Sequence, residues 1–85
     1  MGEKQLNFDP DIPAEFVFDV KMALLDDNAA RVDLLVAEFT RNRVRAIDQQ
    51  SYVDWRGIVR GDFGGVIEDA IYATLTRFGW QPRHR

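Results

Sequence analysis

Nucleophilic catalysis by side chains needs a hydroxyl or thiol held about 3 Å from a base, with a third group orienting that base. The chain has one serine, Ser51, one histidine, His84, and no cysteine. Ser51 begins the run SYVD, where a helix-capping role already occupies it, and His84 stands in the basic tail QPRHR. The two are not expected to meet on rigid elements. Absence of cysteine excludes disulfides, thiolate chemistry and Cys-based zinc sites. Asp9 and Asp11 have the spacing that opens a calcium loop, but Pro13 and Val20 fall where later ligands are required. The neighbouring pairs Asp26-Asp27 and Glu68-Asp69 project to different sides of a helix or sit at its end, which suits solvated surface. No metal, no cofactor and no enzymatic activity is expected.

The run VRGDFGG, residues 59–65, offers three readings. Arg60-Gly61-Asp62 spells an adhesion tripeptide, which needs an exposed loop on a secreted protein. Bare glycine amides at a helix start, with Arg56 and Arg60 nearby, would suit a phosphate. The run nevertheless lacks the lysine and following Ser or Thr of a phosphate-binding loop, and Glu68 and Asp69 oppose an anion in the next turn. The preferred reading is a structural corner, in which Gly61 ends one helix, Asp62 caps the next, and Gly64 and Gly65 allow close backbone approach at about 1 kcal/mol each relative to alanine.

Binding groups are better represented than catalytic ones. Arginine outnumbers lysine nine to two, and Arg41, Arg43, Arg45, Arg56 and Arg60 form a candidate surface for an anion or an acidic partner, because guanidinium makes bidentate contacts to phosphate and carboxylate. Phe18, Met22 and Leu25, at i, i+4 and i+7, form a candidate partner-binding face, the same spacing being equally that of a central core helix.

Four helices are expected to carry these groups, making the fold an all-α, compact single-domain bundle. The first starts at DIPAEF, with Asp11 as cap and Pro13 in the first turn, and runs to about Leu25, gathering Phe16, Val17, Val20, Ala23 and Leu24 on one face. Alternation of Phe16, Phe18 and Val20 also permits a strand over 15–20, which would make the fold α+β. Asn28 caps the second and longest helix, read as continuous from Ala29 to Gln50, with Val32, Leu35, Val36, Phe39, Ala46 and Ile47 in its core stripe and Glu38, Arg41, Arg45 and Asp48 opposite. Arg43 falls inside that stripe, so it either snorkels past the core edge or marks a bend near Asn42. Ser51 caps a short third helix carrying Tyr52, Trp55, Ile58 and Val59 on one side. The fourth, after Asp62, repeats Ile67, Ala70, Ile71, Leu75 and Phe78 at helical spacing, then stops at Gly79 in a Schellman motif that sets Trp80 against Leu75, with Pro82 beyond. Residues 1–10 are read as a flexible segment, 11–80 as one domain and 81–85 as a basic tail.

At 85 residues the chain has room for one modest core. The composition, 46% hydrophobic and 29% charged, is ordinary for a globular domain. The net charge of −3 hides a division: nine acids against three bases from Met1 to Glu38, then five acids against eight arginines. Such asymmetry signals an acidic or nucleic-acid partner, or two halves that attract each other. No stretch approaches the ~20 apolar residues that span a bilayer, and no apolar leader stands at the start, so a cytoplasmic protein is expected. Together these features point to a small non-enzymatic module binding another protein, as an adaptor, inhibitor or regulator, with homodimerisation through the first helix as one form of that interaction. The alternative is a helix-turn-helix-like nucleic-acid binder that contacts phosphates through its arginine-rich half, against which stand a pI of about 5.0 and the acids of the fourth helix.

Overall fold

The computed structural model describes residues 12–61 and 67–81. Among them run four helices, α1 (Ala14–Leu25), α2 (Ala29–Phe39), α3 (Gln49–Gly61) and α4 (Ile67–Arg77), in an all-α, compact bundle. The strand reading of residues 15–20 is overturned: all six lie in α1, whose apolar side chains Phe16, Val17, Val20, Ala23 and Leu24 form one face and are buried together. Period-2 alternation over six residues loses to a helical stripe that continues for twice that length. Pro13 precedes α1 in extended conformation, and its carbonyl accepts the first helical hydrogen bond, from Val17 N–H.

α1 packs against α2 and α3, and α4 packs on α3. Val32, Leu35 and Val36 of α2, Trp55 of α3, and Ile67, Ile71 and Leu75 of α4 close one core with the inner face of α1. Trp55 is buried at its centre, and its indole N–H donates to Thr74 Oγ1 at 3.1 Å, so the largest core side chain is polar-satisfied.

Three helices stop by the same backbone device. In a Schellman motif two amides beyond the helix fold back onto its last carbonyls, around a residue in the left-handed region. After α4 the bonds are Trp80 N–H to Leu75 O at 2.9 Å and Gly79 N–H to Thr76 O at 3.0 Å, with Gly79 at φ 101°, as its sequence predicts. After α1 they are Asn28 N–H to Ala23 O and Asp27 N–H to Leu24 O, with Asp27 at φ 56°. Asn28 then caps α2 directly, its Oδ1 accepting from Arg31 N–H at 3.1 Å, so one residue closes one helix and opens the next.

α2 ends at Phe39, which corrects the continuous helix expected to Gln50. Asn42 N–H bonds to Ala37 O at 2.7 Å and Arg41 N–H to Glu38 O at 3.3 Å, with Arg41 at φ 57° and Asn42 at φ 67°. The buried Thr40 hydroxyl fixes the turn: it donates to Val36 O at 2.8 Å and accepts from Val44 N–H at 3.1 Å, which folds Val44 into the core. The apolar residue after Phe39 is thus Val44, five places on and out of helical register. Arg43 and Ala46 are exposed rather than in a core stripe, and Ile47 is half-buried. Asp48, not Ser51, caps α3, accepting from Ser51 N–H at 3.2 Å. Ser51 itself is buried one turn inside, where its Oγ accepts from the Arg77 guanidinium at 2.7 Å.

Candidate functional site

Two regions of the surface carry groups beyond those the fold needs. The first is the outer face of α1. Burial of Phe16, Val17, Val20, Ala23 and Leu24 turns the remaining apolar residues outward, leaving Phe18 59%, Met22 43% and Leu25 45% exposed. The central-core alternative for these three is therefore overturned. Leu34 of α2, which the sequence reading passed over, is 48% exposed as well. Its signal was the apolar run Leu34-Leu35-Val36, which spans about 200° of the helix, more than one core-facing stripe covers.

The five arginines do not form one surface. Arg56 and Arg60, on α3, face the end of α1. The Arg56 guanidinium sits 3.0 Å from Asp27 Oδ1 and 5.7 Å from the Tyr52 ring centroid, and Arg60 donates to the Leu25 carbonyl at 3.2 Å. Tyr52 O–H also donates to Asp27 Oδ1, at 2.6 Å. These donors hold the Asp27 carboxyl below the usual carboxylate range, the Tyr52 hydroxyl first and Arg56 second. The same bond, with burial, pushes the Tyr52 phenol above its usual value. A contact between the acidic and basic halves of the chain thus fastens α3 to the α1–α2 turn. Asp48 is likewise held low, chiefly by the Ser51 hydroxyl.

Arg41 and Arg43 lie elsewhere, in the turn after α2, and Arg45 follows them in an exposed, non-helical stretch. Arg41 and Arg43 edge a cavity of about 410 Å³ that also involves Pro13, Phe39, Thr40, Trp80 and Gln81. Buried Trp80 and half-buried Phe39 form its floor, their ring centroids 5.6 Å apart. Phe16 stacks under Phe39 at 4.3 Å, and Tyr72 meets Trp80 edge-on at 5.9 Å. The cavity joins the start of α1, the end of α2 and the segment after α4, so residues far apart in sequence build it.

A smaller cleft of about 200 Å³ has Asp27, Asp33 and Asp48 along it. Asp27 and Asp48 are engaged by Tyr52, Arg56, Ser51 and Arg77. No group of three potential metal ligands gathers among the described residues, and no described helix is long and apolar enough to cross a membrane. Gly61 is the last residue of α3, whereas Asp62, Gly64 and Gly65 of the expected corner lie outside the described residues, as do Asp11, Pro82 and His84. Comparison with protein-family models, with curated proteins and with solved structures finds no match to this chain.

Proposed function

We propose that the chain is a small non-enzymatic interaction module, an adaptor, inhibitor or regulator that docks a larger protein through the outer face of α1. The observation that carries this reading is the exposure of Phe18, Met22 and Leu25 on a helix whose opposite face already completes the core. Three large apolar side chains at i, i+4 and i+7 match the anchor spacing by which a helix enters a hydrophobic groove. About half of each side chain is already covered, so burying the remainder would return roughly 0.7–1.5 kcal/mol apiece. The nucleic-acid alternative draws less support, since Arg56 and Arg60 are engaged within the fold and Glu68 and Asp69 occupy the first turn of α4.

Photo-crosslinking tests it. A crosslinking amino acid replaces Met22 in cells of the native organism, with controls at the exposed polar positions Glu38 and Asp54. The expected result is one protein captured at position 22 and absent from the controls. Binding reconstituted from the two purified components should then weaken at least tenfold in the doubly substituted Phe18→Glu, Met22→Glu chain, a loss of about 1.4 kcal/mol. An adduct between two copies would identify the homodimer. Equal capture at the control positions, or reconstituted binding indifferent to both substitutions, would refute the proposal.

A further inference from the structure

We infer that the cavity between Pro13, Phe39 and Trp80 is a second binding site, and that it takes an acidic peptide segment bearing an aromatic side chain. Three observations converge. The floor is aromatic, Phe39 and Trp80 being anchored from beneath by Phe16 and from the side by Tyr72, so a planar side chain would meet a rigid surface. The edge is cationic. Arg41 and Arg43 are the charged residues that border the cavity among the described residues, and neither pairs with a carboxylate there, although the chain as a whole carries net charge −3. Guanidinium forks recognise carboxylates in pairs of hydrogen bonds, and two forks beside an apolar floor fit an aromatic residue flanked by acids.

The third observation is the backbone at Arg41. Its position in the Schellman motif after α2 favours glycine, as at Gly79, yet an arginine occupies it at φ 57°. Left-handed geometry costs a non-glycine residue roughly 1–2 kcal/mol, and strain retained beside a cavity is a mark of a functional position. The Thr40 hydroxyl, bonded to both Val36 O and Val44 N–H, holds the turn that carries both arginines. A volume of about 410 Å³ falls within the range of sites for small ligands and accommodates two or three residues of peptide. The inference deepens the protein-interaction reading by naming the chemistry of a partner segment, and it uses a surface separate from the α1 face.

The test is a titration of the ¹⁵N-labelled protein with three blocked tripeptides: Glu-Phe-Glu, Gln-Phe-Gln and Glu-Ala-Glu. The readouts are the Trp80 indole and the Arg43 and Val44 amide signals. Glu-Phe-Glu is expected to shift these signals saturably, with affinity at least about tenfold above either control peptide, and the Arg43→Gln chain should lose most of that difference. The Phe18→Glu, Met22→Glu chain should bind Glu-Phe-Glu as the parent does, which separates failure of this site from failure of the α1 face. If the three peptides bind alike, if none binds, or if inorganic phosphate alone produces the same shifts at the same concentration, the inference is overturned. Arg41 and Arg43 would then serve to complement the α2 dipole.

Discussion

Replacing Arg41 by glycine tests the α2 terminus, because the sign of the effect depends on the backbone there. Arg41 sits at φ 57°, where a side-chain-bearing residue is strained by roughly 1–2 kcal/mol relative to glycine. Glycine loosens the unfolded chain, which returns about 0.4–1 kcal/mol, and removing the charge at the helix C-terminus forfeits about 0.3 kcal/mol. The net expectation is a gain of about 0.5 kcal/mol, or ~2–4 °C in Tm for a domain of this size. Had α2 run on through residue 50, the same substitution would sit mid-helix and cost up to about 1 kcal/mol. Arg41→Ala isolates the backbone from the charge: alanine keeps the strain, so the glycine chain should exceed it by about 0.5–1 kcal/mol. Thermal and urea unfolding followed by circular dichroism measure both differences. An alanine chain as stable as the glycine chain, or more so, would refute the left-handed terminus and with it the placement of Arg41 and Arg43 at the cavity edge.

Three further outcomes follow from the packing. Thr40→Val keeps the shape of a buried side chain but strands the Val44 N–H, so it should cost about 1–3 kcal/mol in urea unfolding, and a loss below about 0.5 kcal/mol would mean that Thr40 does not hold the turn. Trp55→Phe removes core volume and the donor to Thr74, for a loss of roughly 2–4 kcal/mol, part of which Thr74→Val in the same chain should restore; strict additivity of the two would contradict the coupling. The third concerns pH. Asp27 and Asp48 have lowered folded-state pKa values, so their contribution is complete above the ordinary carboxylate value of about 3.9 and is lost as pH falls through the folded values. Tyr52 is raised, so its contribution is complete below about pH 10 and is lost as pH rises through the folded value. Tm measured against pH should therefore fall at both extremes, and Tyr52→Phe should flatten the alkaline side; an unchanged alkaline slope in that chain would exclude the Tyr52–Asp27 bond.

Local signals were legible where one residue type suffices to dictate geometry. Asn28 caps α2, Gly79 turns the chain after α4, and the inner stripe of α1 is buried as its period requires. The end of α2 was not legible in that way. Arginine at position 41 carries no helix-stop signal, and what ends the helix is the Thr40 hydroxyl together with burial of Val44, a contact worth making only because a core lies beneath it. Arg43 did register the difficulty, since a continuous helix would have placed it among apolar side chains. Asn42, tolerant of the left-handed region, and the five-residue step from Phe39 to Val44 were the other available signs.

The amino-acid sequence by itself thus favoured the all-α class and determined the number of helices among the described residues, the apolar stripe of α1 and the lack of nucleophile–base pairs built on cysteine, whereas the strand alternative over 15–20 fell only to the structure. These depend on periodicity, caps and residue inventory, which act over a few residues. Only the tertiary structure decided that Phe18, Met22 and Leu25 face outward, because a second apolar stripe is core or surface according to how many helices surround it. It alone divided the arginines, turning Arg56 and Arg60 toward the α1–α2 turn and leaving Arg41 and Arg43 beside Phe39 and Trp80. Residues forty positions apart share a cavity only when packing brings the ends of three elements together, and no local propensity encodes that meeting.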